Sequence, residues 1–169
     1  MAPLDPEFLA DAPYEPEALL IDELLLVDRA ASRVVARMPT HADLPLTRLQ
    51  RVHPVRHPRH VNGGLMVHAT AMTGMIHSYY CFDLRHADGW IGYGARARNI
   101  KFKSIARVGE PIDIDCISTG VRRTAKNLVA RYTFTMTQAG VVVYESEQTG
   151  MFMKIDDETP AGEMPPSRE

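Results

Sequence analysis

Two hydrophobic periodicities divide the chain. From Gly64 to Tyr80, Leu65, Ala69, Met72, Ile76 and Tyr79 recur at spacings of three or four, the repeat of one helix face. The other side of that segment carries Val67, Ala71, Gly74 and Ser78 rather than charges. A surface helix normally shows a charged face, so this helix is expected to be covered on most sides. After Gly89 the repeat changes to two. Ile100 and Phe102 alternate with Asn99, Lys101 and Lys103, and Ile112, Ile114 and Cys116 alternate with Asp113 and Asp115. Leu128, Ala130, Tyr132, Phe134 and Met136 alternate with Val129, Arg131, Thr133, Thr135 and Thr137, and Val141 to Ile155 reads as a last strand. Turn signals fall at Val108-Gly109-Glu110, at Gly120 to Asn127 and at Gly140. Such alternation predicts antiparallel strands with one wetted face. Ahead of the helix, the aliphatic run Leu19 to Arg29 and the alternating run Ser32 to Met38 predict a hairpin. Pro39, Pro45, Pro54 and Pro58 argue against regular structure between them and the helix.

The order is hairpin, long loop, one buried helix, then three or four long antiparallel strands. A curved antiparallel sheet wrapped around a single helix covers such a helix economically, which is the α+β arrangement called the hotdog fold. The 169 residues suffice for one such domain. Residues 1–16, with four prolines, are expected to form an N-terminal arm, and residues 17–155 the folded unit. The acidic, proline-containing segment 156–169 is expected to be a disordered tail.

Composition narrows the function classes. Lys plus Arg number 19 against 21 Asp plus Glu, a net charge of −2, which gives no general drive toward nucleic acid or an anionic membrane. The stretch Val61 to Phe82, free of Asp, Glu, Lys and Arg, contains Asn62, three glycines and two histidines, so no membrane span is expected. No basic segment followed by an apolar block opens the chain. Cys81 and Cys116 are its two cysteines and do not form a CxxC pair. They suit a reducing cytoplasm and exclude a cysteine-based zinc site.

Three segments carry a family resemblance. LLIDELLLVDR (Leu19 to Arg29) resembles the opening strand of hotdog-fold hydroxyacyl-carrier-protein dehydratases. HVNGGLMVHATAMTG (His60 to Gly74) resembles the loop-to-helix junction of hotdog acyl thioesterases, and NIKFKSIARVGEPIDIDCI (Asn99 to Ile117) resembles their paired strand. The branch it resembles most is the FcoT-like fatty acyl-CoA thioesterases. The resemblance implies a thioesterase of lipid or polyketide metabolism acting on an acyl-CoA or acyl-carrier-protein thioester. It also implies a homodimer, with pairing into a dimer of dimers left open. No cofactor is implied beyond coenzyme A or phosphopantetheine as part of the substrate. Two departures stand out: Gly63-Gly64 replaces the dehydratase Pro-Gly, and no Asp or Glu occurs between Asp43 and Asp83. The usual general base of dehydratases and many thioesterases is therefore missing from the helix.

Thioester hydrolysis needs a polarised carbonyl oxygen and an oriented water. The first amides of a helix are unpaired and carry partial positive charge. Gly63, Gly64 and Leu65 would present such amides without a side chain in the way at the glycines, those of Gly64 and Leu65 holding the carbonyl oxygen and Gly63 lying against the substrate; equally, two glycines make a sharp helix entry. Asn62 would orient water or carbonyl, or cap the helix. His60 is the main side-chain candidate for a base, since imidazole titrates near neutrality. His68 is a weaker one, one turn into the helix and more in keeping with a hydrogen-bonded core residue. The five histidines from His53 to His77 lack HExxH spacing and a nearby carboxylate, so no metal is expected. No GxSxG occurs. Arg96, Arg98, Arg122 and Arg123 would bind carrier phosphates or an acidic carrier protein, or simply form a solvated strand face. Met72 and Tyr79 would line an acyl tunnel, or belong to the core. Two other classes stay open: a dehydratase-like lyase drawing its acid from Asp43 or a partner chain, and a non-catalytic acyl-thioester-binding protein.

Overall fold

The computed structural model describes residues 2–155, so the expected tail at 156–169 lies outside the described residues. Seven antiparallel strands form one sheet, in the order β1-β2-β3-β5-β6-β7-β4. The strands are β1 (Ala2–Pro3), β2 (Glu23–Asp28), β3 (Arg33–Met38), β4 (Trp90–Phe102), β5 (Ile112–Arg123), β6 (Asn127–Gln138) and β7 (Val141–Lys154). Three α-helices accompany them: α1 (Pro6–Asp11), α2 (Pro16–Leu19) and the long α3 (Gly63–Phe82). A 3-10 turn at His86–Asp88 leads into β4.

Sheet and helix meet along the faces that the two periodicities select. All five stripe residues of α3, Leu65, Ala69, Met72, Ile76 and Tyr79, are buried. They pack over Val34, Ala36 and Met38 of β3, Ile112, Ile114 and Cys116 of β5, and Leu128, Ala130, Tyr132, Phe134 and Met136 of β6. Outward-facing residues of β3 and β5 form ion pairs with one another. Arg33 clasps Asp115 at 2.9 and 2.8 Å, and Arg37 clasps Asp113 at 2.7 and 3.2 Å. The other side of α3 is covered less evenly, since Gly74 and Ser78 are buried but Ala71 is exposed. Its hydroxyl groups bond back onto the helix, Thr73 to the Ala69 carbonyl at 2.8 Å and Ser78 to that of Met75 at 2.8 Å.

The N-terminal arm wraps the fold. Strand β1 pairs with β2, and Phe8 of α1 is 1% exposed, edge-on to Tyr79 with ring centroids 5.0 Å apart. Asp5 caps α1 by accepting from the Glu7 amide at 2.8 Å. Asp11 accepts from the His86 and Ala87 amides, both at 2.8 Å, which fastens the arm to the turn before β4. No helix of the described residues is long and apolar enough to cross a membrane.

Candidate functional site

The loop entering α3 is clamped before the helix begins. Gln50 accepts from the His60 amide at 3.2 Å and donates to the His60 carbonyl at 2.9 Å. The Val61 amide donates to the Ala106 carbonyl at 2.9 Å, tying this loop to the connection between β4 and β5. Asn62 is the N-cap, with extended backbone, and its Oδ1 accepts from the Gly64 amide at 2.8 Å. The Leu65 amide donates to the Asn62 carbonyl at 3.0 Å. The Gly64 and Leu65 amides, the two expected to hold the carbonyl oxygen, are therefore both engaged within the helix entry. The Gly63 amide is the one with no partner among the described residues. Of the two glycines at this entry Gly63 is the more closely approached: a Cβ there would stand 2.8 Å from the Phe102 ring of β4.

His60 stands at the mouth of this junction. Its Nδ1 lies 2.8 Å from the Pro58 carbonyl, which can accept only if Nδ1 carries the proton. Nε2 is then the ring nitrogen without a partner among the described residues. The ring meets His57 edge-on at 5.0 Å. His68 has a different task, with Nε2 2.7 Å from the Ala18 carbonyl, linking α3 to α2. His77 is fully buried, its Nε2 2.8 Å from the Ser32 carbonyl, and burial pushes its pKa down despite that bond.

A chamber of about 440 Å³ lies between α3, the arm and strands β4, β6 and β7. Met72 and Tyr79 are both on its wall, with Phe8, Met75, Trp90 and Phe152. The first helix residue on the wall is Thr70, about 10 Å along the helix axis from Gly63 at about 1.5 Å per residue. The exposed Ala71 marks where the chamber meets solvent. Small residues make the space: a Cβ on Gly94 would meet nothing within 4 Å. Sequence periodicity placed Tyr132 on the apolar face of its strand but gave no sign that it meets Gln148, because the two come from different strands and meet only through the β6–β7 register.

The arginines do not converge on the helix N-terminus. Arg96 and Arg98 line a second hollow with Arg131, Thr133, Glu147 and Thr149, a hollow that Tyr132 and Gln148 also line. Arg123 donates to the Phe82 carbonyl at 3.2 Å, at the far end of α3, with its guanidinium 5.7 Å from the Trp90 ring. Arg122 precedes it on β5 and is exposed. That end lies about 28 Å from Gly63 by helix rise. Among the described residues no group of three or more His, Cys, Asp or Glu side chains is placed to hold a metal ion.

No protein-family model and no curated protein matches the chain. Its likeness is to solved structures. A dehydratase heterocomplex from Xenorhabdus doucetiae superposes with a TM-score of 0.63 at 13% identity, covering 93% of each chain. A mutant thioesterase from Pseudomonas aeruginosa gives 0.63 at 16% identity, over 92% of this chain and 97% of that one. A hypothetical thioesterase from Streptococcus pneumoniae, solved with coenzyme A, gives 0.55 at 11% identity over 78% and 85%. One long helix held in a curved antiparallel sheet, shared over nearly the whole length of such structures, is the hotdog fold, and this chain adopts it.

Proposed function

We propose that this protein hydrolyses an acyl thioester. The observation that carries the reading is a helix N-terminus whose glycine amide is unpaired, on the same helix that walls an apolar chamber of about 440 Å³. The thioester carbonyl oxygen accepts from the Gly63 amide, where the helix N-terminus favours developing negative charge. His60 Nε2 takes a proton from the attacking water and returns it to the departing thiolate as the C–S bond breaks. The acyl group extends along α3 into the chamber. Asn62 fixes the first turn, and so the direction of the Gly63 amide. The carrier is coenzyme A or an acyl carrier protein, and rates with one acyl group on each carrier choose between them. The solved neighbours described as thioesterases support this reading.

A second copy of the chain completes the assembly in this reading, because β4 ends the sheet with one edge unpaired and exposed. One observation favours a different outcome. The first turn of α3 holds no acid, which suits a protein that binds acyl thioesters without turning them over. Incubation with acyl-CoA and a thiol reagent separates the two: hydrolysis releases free thiol, and binding alone does not. Loss of water from a hydroxyacyl thioester would instead mark a lyase.

A further inference from the structure

The net charge of −2 averages over an uneven distribution. From Leu44 to Phe82 the chain holds no Asp or Glu, while Arg48, Arg51, Arg56 and Arg59 follow one another in the loop before α3. All four are exposed, and none forms an ion pair among the described residues. Leu49, Val52 and Val55 are interleaved with them and are 70%, 47% and 84% exposed. Single exposed aliphatics are ordinary, but here one stretch of chain is both apolar and cationic. The base of the loop is held. Arg59 donates to the Thr47 carbonyl at 3.2 Å, and Gln50 bonds both the amide and the carbonyl of His60. Beyond that base the tip closes on itself. His53 and His57 exchange both backbone hydrogen bonds, at 2.8 and 3.0 Å, and His53 Nδ1 accepts from the Val55 and Arg56 amides at 3.2 and 2.9 Å. Pro54 and Pro58 have no amide hydrogen. Every backbone donor from 53 to 58 is therefore satisfied within the turn or absent. Water commonly serves such donors in an exposed loop. A tip that needs none can enter an apolar layer without stranding its amides.

We propose that the loop over residues 48–59 docks on the anionic surface of a lipid bilayer, with its arginines on the headgroups and Leu49, Val52 and Val55 entering the boundary beneath them. An acidic protein would also draw the arginines. It gives no reason, however, for the tip to withdraw its backbone donors or to set Val55 at the middle of the turn. Docking there holds the neighbouring entry of α3 against the membrane face. The proposal does not depend on hydrolysis, and its test needs no turnover. The full chain is sedimented with vesicles of phosphatidylcholine alone and with vesicles of equal parts phosphatidylcholine and phosphatidylserine. It should pellet with the anionic vesicles only, and less so as salt rises. Arg48→Glu with Arg51→Glu should weaken that binding by at least about tenfold, since each cation near such a surface contributes. Leu49→Ser with Val55→Ser should weaken it by about tenfold at unchanged charge. These four side chains are exposed, and the two arginines have no side-chain partner among the described residues, so both double variants should keep the wild-type Tm. Three results overturn the proposal: no pelleting with anionic vesicles, equal pelleting with both kinds, or pelleting that survives both double variants. Loss with the arginine pair alone does so too, because the contact is then electrostatic without insertion. Sedimentation without lipid supplies the last arm: a wild-type dimer that becomes a monomer in the Leu49→Ser, Val55→Ser variant assigns the loop to a second copy of the chain instead.

Discussion

The hydrogen bond between Asn62 and the Gly64 amide, 2.8 Å long, decides which backbone donor at the helix entry is left for a ligand. Asn62→Ala removes the cap, which costs about 1 kcal/mol and lowers Tm by about 2–4 °C in a domain of this size. Asn62→Asp keeps the cap and leaves Tm unchanged or higher, because a carboxylate is favoured at a helix N-terminus. Hydrolysis in Asn62→Asp should nonetheless fall by about 10²-fold, since the new charge opposes the oxyanion beside Gly63. Thermal melts and initial rates on the two variants check this. Gly94 gives a prediction about the chamber. A side chain there meets nothing within 4 Å at its Cβ, so Gly94→Leu should fold and fill the space, weakening binding of long acyl groups more than short ones. His77 sets a limit on acid stability. It is buried, with its pKa pushed down by burial, and the residues around it, Ser32, Phe82 and Tyr132, bring no carboxylate. An unfolded histidine titrates near about 6.5, so the neutral ring contributes its full stability above that pH and loses it progressively as pH falls. Tm measured from about pH 7.5 to about pH 5 should drop, and drop less steeply in His77→Gln.

Among the elements, β4 is the one whose outer edge has no strand beside it at that end of the sheet. Thirteen residues with an exposed edge invite pairing with another chain, and sedimentation at micromolar protein should show a dimer; a monomer would remove β4 as an interface. How far each element could be read from the sequence follows from its periodicity. The helix was legible because its apolar spacing is regular, but it runs on to Phe82, past the expected Tyr80. Its stop was hidden because Asp83, not glycine, takes the left-handed conformation at φ 54°, held by Arg29 at 3.1 Å. Strand β4 begins at Trp90, well before the alternation at Asn99. Gly92, Gly94, Ala95 and Ala97 offer no hydrophobic contrast there, and register shifts at Gly94/Arg96 and Arg98/Lys101 break the period of two. The site divides the same way. His60, Asn62 and Gly63 are neighbours in the chain and could be found together, whereas Tyr132 and Gln148 meet only across a strand pairing. The open amide is that of Gly63 because Asn62 takes the next two, one through its side chain and one through its carbonyl, a detail of geometry that composition does not encode.

At the scale of the whole molecule, the fold puts a polar helix entry at one end of α3 and an apolar, glycine-cut chamber along the rest, with the N-terminal arm closing one side. The arm's prolines mark it as irregular, yet it contributes Leu4 and Phe8 to the core, which a short segment without a repeat gives no means of foreseeing. The arrangement separates a place for thioester chemistry from a place for the acyl group, and the central claim is that the two act on one substrate. The most direct measurement is release of free thiol from a series of acyl-CoA thioesters of increasing acyl length, with wild type and Gly94→Leu compared side by side. The account predicts release that rises with acyl length in the wild type and loses that rise when the chamber is filled. Thiol release absent throughout, or a length dependence untouched by Gly94→Leu, would contradict it.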